Sequence, residues 1–550
     1  MPKVSFSVRV LTVSLVFVVL FWRLGTPTFW DPDEAHYAQT SREMVATGDW
    51  WAPFYNEDPF FDKPVLFHQL QAASMLVFDD AELAARFAPA MAALGLVIIT
   101  AWFGRTMVSA DVGTVAALML TACPGLFALA RYAILDTLFT MFIFGGASFL
   151  SVAALHDRPR LQWLAYAFLA LGVLTKGPVA LILCGLAFLI AIALSADLRR
   201  RLLRLHWLLG PLVIIALSAS PFLYLYHRFG QDFVNGYVFD ENLRLFGGNR
   251  FRNQPGFWFY FQILAAALLP WTGLLIGRLV DDVRSVLRGE TLDSIEMMLW
   301  AWTLTVVGFF TLSDFKLDHY IFPAAPALCL LCARAWADVR ANQFDPRHRG
   351  SRLGLYLIGP FLVAIGLGCG YFLIARLALP WGAVLVPIAL TLAGASLAAL
   401  ANVGRALPPR VPWLVMTALL VTYIGLIAFV MPALERRKVV PDLAQWVAAR
   451  ATPSDRLASF RLNRWSPAYR FYVGRHITFL EDPADAQAFF AAPQPFYCVM
   501  RRNAYDEFVA QGAKLKIVYE RDGVNATSGR MLWRTRTPPL VRFVVVTEAR

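Results

Sequence analysis

The chain has 550 residues, of which 58% are hydrophobic and 16% charged, with a formal net charge of +12. About 20 apolar residues suffice for one membrane span, and apolar runs fill more than half of this sequence. A mean hydropathy of +0.54 therefore excludes a water-soluble globule and a disordered chain. The basic residues lie in short clusters between apolar runs, which indicates contact with lipid phosphates and no nucleic-acid partner.

The apolar runs predict about thirteen membrane spans. Lys3 and Arg9 precede the first run and no small-residue cleavage site follows it, so we expect an uncleaved first span. The predicted spans lie near residues 8–24, 85–104, 111–128, 134–154, 161–175, 178–195, 207–226, 257–277, 297–312, 320–337, 353–374, 381–401 and 412–431.

The basic connections predict the orientation of these spans. Clusters such as Arg199, Arg200 and Arg201 place the N-terminus in the cytoplasm by the positive-inside rule, and an odd number of spans places the C-terminus outside. Two long outer loops follow, at 25–84 and 227–256. The second loop breaks the positive-inside rule because it contains four arginines, Arg228, Arg244, Arg250 and Arg252. Either the topology is locally different, or these arginines bind an anion outside the membrane. We expect the second.

The composition changes after Met431. Residues 1–431 form the predicted transmembrane catalytic domain, whereas 432–550 contain no further span and predict a soluble α/β domain in the periplasm. Helix-like stretches at 442–451, 483–491 and 505–511 alternate with strand-like ones at 496–501, 515–519 and 541–547.

The first outer loop begins with acids, in Trp30-Asp31-Pro32-Asp33-Glu34. One of them could cap a helix predicted over 34–44. Capping requires a single acid and three are present, so we favour a functional role for Asp33 and keep capping as the alternative. The same loop ends in Phe61-Asp62-Lys63-Pro64, where Lys63 is either an interfacial anchor or a phosphate ligand.

More ionisable residues lie at the ends of predicted spans on the same outer side. Such residues mark a functional site or, alternatively, an ion pair between helices. Because they share one side of the membrane with the first loop, they predict a site for a phosphorylated lipid. They are Arg131, Asp136, Lys176, and the cluster of Lys316, Asp318, His319 and Tyr320.

These motifs together resemble those of integral-membrane glycosyltransferases of the GT-C fold. The resemblance rests on Asp33-Glu34, Phe61-Asp62-Lys63-Pro64, Leu135-Asp136, Leu174-Thr175-Lys176-Gly177-Pro178 and Lys316-Leu317-x-x-Tyr320, and covers about residues 1–435. Within that fold the chain is similar to the aminoarabinose lipid A transferases and to the wider protein mannosyltransferase group.

The resemblance implies transfer of a sugar from polyprenyl phosphate, undecaprenyl phosphate in bacteria, to a lipid or glycan acceptor such as lipid A, with inversion. It implies Asp33, Asp136 and Glu34 as catalytic acids. Lys63, Lys176, Arg131, Lys316 and Tyr320 are then expected around the donor phosphate.

Two departures limit what the resemblance implies. His36 stands where the aminoarabinose enzymes have Arg, so the sugar is not fixed. Asn242 stands where relatives have a His implicated in metal binding, so no metal site is carried over and no cofactor is identified.

Two other classes of function compete with the enzyme. A flippase for a lipid-linked sugar predicts charges distributed through the midplane of the bilayer and paired broken helices. A non-catalytic envelope protein leaves Asp33, Lys63 and Asp136 without a role. The charges gather at one face, so the sequence favours a multi-pass glycosyltransferase of the bacterial inner membrane.

Overall fold

The computed structural model describes residues 6–247, 254–402, 407–463, 466–524 and 540–549. Arg250 and Arg252 of the second outer loop lie outside these ranges. The described chain is a bundle of apolar helices followed by a five-stranded sheet with helices on both faces. The predicted class, a helical polytopic membrane protein with a C-terminal α/β domain, is confirmed.

Eight helical segments are long and apolar enough to cross a membrane. Two bent helix pairs raise the count to ten if each is one span, and three apolar helices are shorter, so the predicted count of thirteen is not confirmed. The long segments are Ala81–Met107, Asp136–Leu155, Leu209–Phe229, Ser294–Leu312, Asp318–Ala341, Pro346–Arg376, Trp381–Ala401 and Val411–Glu435; the shorter helices are Val10–Leu20, Leu161–Lys176 and Val179–Leu194.

The two bent pairs each break at a proline. Ala110–Ala122 and Pro124–Ala130 meet at 65°, and Phe259–Ala267 and Thr272–Leu287 meet at 118° across a turn that contains Pro270. Proline cannot donate the backbone hydrogen bond that would continue a helix. Gly125 lets the two bent helix pairs pack closely. A side chain at this position would be crowded, because its Cβ would lie 3.1 Å from the Cβ of Ala267.

The first outer loop is folded. It holds the helices Asp33–Thr47 and Leu66–Met75, joined by a hairpin of β1 (Phe54–Tyr55) and β2 (Asp58–Pro59). The second outer loop continues the span Leu209–Phe229 as the helices Gln231–Phe233, Val234–Arg244 and Leu245–Gly247. Short helices Ala196–Leu202 and Pro346–His348 lie in other connections.

The C-terminal sheet has the order β4-β3-β5-β7-β6. β3 pairs in parallel with β4 and β5, whereas β7 is antiparallel to β5 and β6. The strands are β3 (Arg456–Phe460), β4 (Thr478–Leu480), β5 (Phe496–Arg501), β6 (Leu515–Val524) and β7 (Leu540–Glu548).

Both faces of this sheet are apolar because buried residues alternate along β7. Phe543 and Val545 pack towards the helices Val440–Ala448 and Ser466–Val473, and Val544 and Val546 face the opposite side. The helices Pro483–Ala491 and Arg502–Ala510 cover that second face. The domain therefore has three layers, with helices covering both apolar faces of the sheet.

The sheet domain is docked on the first outer loop. The backbone N–H of Ala468 donates to Asp31 at 2.9 Å, and the N–H of Phe29 donates to the Tyr472 hydroxyl at 2.8 Å. The Arg470 guanidinium pairs with Glu43 at 3.2 Å. These contacts fix the ends of the segment that carries Asp33.

Candidate active site

Asp33 lies in the first turn of its helix, and its side chain faces a cavity. Pro32, not Asp31 or Asp33, occupies the N-cap position, so capping does not account for the acids. The Tyr132 hydroxyl donates to Asp33 at 3.5 Å. Burial raises the pKa of the Asp33 carboxyl above its usual range, since an ion loses water there.

The charged neighbours of Asp33 act on the same pKa in opposite directions. His319 lowers it, and the carboxylates of Asp136 and Asp318 raise it. Asp33 therefore interacts electrostatically with residues of two other helices, which is expected if these residues form one site.

Glu34 is fully buried and both of its carboxylate oxygens are occupied. Arg86 donates to them through Nε at 2.8 Å and Nη2 at 2.9 Å. The backbone N–H groups of Trp30 and Ala133 donate at 2.8 and 2.7 Å. Glu34 does not line the cavity. This geometry favours a positioning role over the catalytic role that the sequence predicts.

Asp136 and Lys176 form a buried ion pair between two helices. Asp136 begins the helix Asp136–Leu155, and Lys176 ends Leu161–Lys176. His319 Nε2 lies 3.5 Å from Asp136 Oδ2. The Lys176 Nζ stands 4.1 Å from the centroid of the Tyr320 ring, so the ring face supports the ammonium group.

Lys63 lies close to this pair, on the first outer loop. Its Nζ is 3.3 Å from Glu241 of the second outer loop and donates to the Asp62 carbonyl at 2.8 Å. Lys63 and Lys176 interact electrostatically. Two ammonium groups thus converge from two segments, and both outer loops contribute to the site.

A cavity of about 550 Å³ adjoins these charges. Its lining includes the polar side chains of Asp33, Arg131, Tyr132, Asp318 and His319. Its other walls are mostly apolar and come from both bent helix pairs and from the ends of spans, among them Phe127, Ile263, Leu264, Leu268, Phe322 and Met431. A mostly apolar cavity with a few charged side chains suits a lipid with a polar headgroup.

Two predicted residues lie apart from the lysine pair. Arg131 lines the cavity, and its charged neighbours are Arg23, Arg86 and Glu34. Lys316 donates Nζ to the Ser313 carbonyl at 2.5 Å, within its own turn. Of the arginines predicted to serve an anion, Arg228 pairs with Asp49 and Arg244 with Asp240.

Sequence reasoning placed Asp318 and His319 in the cluster at the entry of the tenth span but gave them no role at the site, and it did not select Tyr132. His319 bridges two acids, because its Nδ1 is 3.2 Å from Asp318 and its Nε2 faces Asp136. The signal was present, since Asp318 and His319 directly precede Tyr320 and Tyr132 is four residues before Asp136. Over the described residues, no group of three His, Cys, Asp or Glu side chains is placed to hold a metal ion.

The chain is similar to known glycosyltransferases in sequence. The profile of the dolichyl-phosphate-mannose-protein mannosyltransferase family matches residues 10–229. The undecaprenyl phosphate-alpha-4-amino-4-deoxy-L-arabinose arabinosyl transferase of Edwardsiella ictaluri is 28% identical over 70% of this chain and 67% of that protein. Its counterpart from Aeromonas salmonicida is 29% identical over 63% of each chain. The alignments thus cover about two thirds of these relatives.

The similarity in structure extends over the whole chain. The crystal structure of ArnT from Cupriavidus metallidurans bound to undecaprenyl phosphate superimposes with a TM-score of 0.76 at 22% identity, covering 99% of this chain and 98% of that one. Its apo form gives the same TM-score of 0.76 at 21% identity. With the family profile and the arabinosyl transferase relatives, these matches support a membrane glycosyltransferase with the GT-C fold.

Proposed function

We propose that this protein transfers a sugar from a polyprenyl phosphate, undecaprenyl phosphate in a bacterium, to a lipid or glycan acceptor such as lipid A. The observation that carries this proposal is the electrostatic interaction of Lys63 with the buried pair of Lys176 and Asp136, next to a mostly apolar cavity that Asp33 lines. The names of the arabinosyl transferase relatives and the lipid bound to ArnT support it.

The two lysines fit the leaving group. When the bond between the anomeric carbon and the phosphate oxygen breaks, its electron pair stays on the phosphate. A polyprenyl phosphate leaves without a proton if cations stabilise that charge, and buried ammonium groups do so better than water. Lys63 and Lys176 would exchange their carboxylate partners, Glu241 and Asp136, for the phosphate.

Asp33 fits the other half of the reaction. An acceptor hydroxyl attacks the anomeric carbon and loses its proton, which the Asp33 carboxylate takes up. If the acceptor is an ionised phosphate, no proton is transferred, and Asp33 orients the acceptor or stabilises positive charge on the sugar ring. A single displacement inverts the anomeric centre in either case.

Other residues hold the reacting groups in place. His319 and Lys176 orient Asp136, and the ring of Tyr320 supports Lys176. The buried pair of Glu34 and Arg86 positions the turn before Asp33. A role for Lys316 at the donor phosphate stays a prediction.

We place the site at the periplasmic face of the inner membrane, with the N-terminus in the cytoplasm and residues 432–550 forming a periplasmic domain. The helix Asp136–Leu155 supports this orientation. It begins at the site, and the carbonyl of its last residue, Leu155, accepts a hydrogen bond from Arg201 of the arginine cluster at 3.3 Å. A helix of 20 residues spans about 30 Å, so site and cluster lie on opposite sides.

Replacing Lys63 by Met should raise the apparent KM for the lipid donor by about ten- to a hundredfold, which is the range for a lost charged hydrogen bond. Lys63→Arg should recover part of this loss. Initial rates in vesicles at varied donor concentration measure the effect. Lys514→Met, at an exposed position of the sheet domain, is the control. An unchanged KM for Lys63→Met would favour the anchor alternative.

The pH dependence should report Asp33. A base acts only when deprotonated, so kcat/KM should fall as the pH drops through the raised pKa of Asp33, above the usual carboxyl range. Tyr132 lowers that pKa through its hydrogen bond. Tyr132→Phe should therefore move the acid limb to higher pH. If the acid limb of Tyr132→Phe does not move, a group other than Asp33 gives rise to that limb.

Mass spectrometry of lipids tests the reaction itself. Vesicles with the purified protein, a defined undecaprenyl-phosphate pentose or hexose, and lipid A should yield glycosylated lipid A and free undecaprenyl phosphate in equal amounts. A flippase would instead move the donor across the bilayer unchanged. Donor translocation without product would support that alternative, for which the bent helix pairs are the structural argument.

A further inference from the structure

Arg131 has a buried guanidinium group whose hydrogen bonds are incomplete. The residue is 7% exposed, and its Nη1 has no hydrogen-bond partner among the described residues. Its Nη2 donates to the Arg23 carbonyl at 2.9 Å, and the group lies 5.8 Å from the centroid of Phe127. Buried charged donors are normally satisfied, so the free N–H calls for an explanation.

Neighbouring groups leave the charge of Arg131 uncompensated. The nearby carboxylate of Glu34 accepts two hydrogen bonds from Arg86 and is therefore already paired. Burial lowers the pKa of Arg131 to about 10, and the cations Arg86 and Arg23 contribute to this shift. The guanidinium remains charged at neutral pH, in surroundings with an excess of positive charge.

The position of Arg131 connects this charge to a lipid-shaped space. Arg131 lines the cavity, as do Asp33 and Tyr132. Lys63 and Lys176 do not line this cavity; Lys176 pairs with Asp136, and Lys63 pairs with Glu241. Asp33 belongs to both groups, since it lines the cavity and is coupled electrostatically to Asp136. The candidate site thus has two cationic sides around one carboxylate.

We infer that Arg131 binds the phosphate group of the acceptor lipid, whose acyl chains occupy the apolar walls of the cavity. The inference rests on the proposed function, because it names the second substrate as an anionic lipid. A guanidinium suits this task, since its fork of N–H groups matches phosphate oxygens. This inference replaces the expectation that Arg131 joins the lysines at the donor phosphate. Both alternatives are phosphate binding, and they differ in which substrate carries the phosphate.

Binding of lipid A without donor tests the inference. Native mass spectrometry of the full-length protein in detergent gives the Kd for bisphosphorylated lipid A and for lipid A from which both phosphates are removed. Arg131→Ala should weaken binding of the phosphorylated lipid about ten- to a hundredfold and leave the dephosphorylated lipid unchanged. Arg131→Lys should retain more affinity than Arg131→Ala, since it keeps the charge.

A matched control is Arg456→Ala. Arg456 begins β3, contacts the Phe489 ring at 4.2 Å, donates to carbonyl groups and has a buried Nε without a partner in the described chain, but it does not line the cavity. The substitution Arg456→Ala should leave the Kd values for both forms of lipid A unchanged. The donor KM of Arg131→Ala, measured in vesicles, should match that of the native protein, which also shows that the variant is folded.

Three results would overturn the inference. Native protein could bind both forms of lipid A equally, Arg131→Ala could retain full affinity for the phosphorylated form, or it could raise the donor KM and leave lipid A binding intact. The last would assign Arg131 to the carrier phosphate. Native protein that binds lipid A through Arg131 but transfers no sugar would contradict the proposed function and still support an anionic-lipid site.

Discussion

Asp33→Asn should reduce turnover by about 10²- to 10⁴-fold, the contribution of a general base. Asparagine has nearly the same shape and lacks the basic oxygen. The carboxylate lies at the cavity within reach of the Tyr132 hydroxyl and carries no ion pair with Lys or Arg in the described structure, so folding should not depend on its charge. Formation of glycosylated acceptor in vesicles at matched protein concentration measures the loss.

Asp58→Asn is the control for this substitution. Asp58 lies in the same outer loop, on the exposed strand β2, and should retain native turnover. Size-exclusion profiles and thermal unfolding should coincide for both variants and the native protein. If Asp33→Asn turns over within about threefold of the native rate, the base assignment fails, and the two lysines would remain as the catalytic groups.

The membrane fold could be predicted because hydropathy depends only on local composition. The backbone of a lipid-exposed segment must satisfy its own hydrogen bonds, so each apolar run becomes helix. The number of spans could not be predicted as firmly. Pro124 and Pro270 break helices inside apolar runs, and the length of each piece depends on packing. Composition averages over such breaks.

The acids and lysines of the site could be predicted as a group, because the predicted topology assigns them to one side of the membrane. Their partners could not. Asp33 and Glu34 are neighbours in sequence, but one faces the cavity and the other is enclosed by Arg86, which is 52 residues away. Similarly, Arg131 is five residues from Asp136 in the sequence and Lys176 is 40 residues from it, but it is Lys176 that pairs with Asp136. Pairing across helices depends on tertiary distances that spacing does not encode.

The sheet domain illustrates the same limit. Its strands β5 and β7 could be predicted from runs of β-branched and aromatic residues. Its contacts with the first outer loop could not, because Asp31 bonds a backbone N–H 437 residues later in the chain. This docking places the domain against the segment that precedes Asp33.

Glu34→Gln should destabilise the folded protein by about 3–5 kcal/mol, the usual cost of leaving a buried charge without its partner. Arg86 is 1% exposed and has no other carboxylate within hydrogen-bond distance among the described residues. It also donates to the carbonyls of Leu24 and Pro27, so it holds the segment between the first helix, which ends at Leu20, and the helix of Asp33. A lower Tm and less extractable protein should report the loss.

The double substitution Glu34→Leu with Arg86→Met distinguishes positioning from catalysis. Removing both charges relieves the unpaired ion, so the double variant should be more stable than either single variant. If Glu34 only positions the turn, the folded double variant should keep measurable transfer with an altered KM, because Asp33 and both lysines remain. If Glu34→Gln has the same Tm as the native protein but has lost all transfer, Glu34 takes part in the chemistry. Its place beside Asp33 in the sequence first suggested this role.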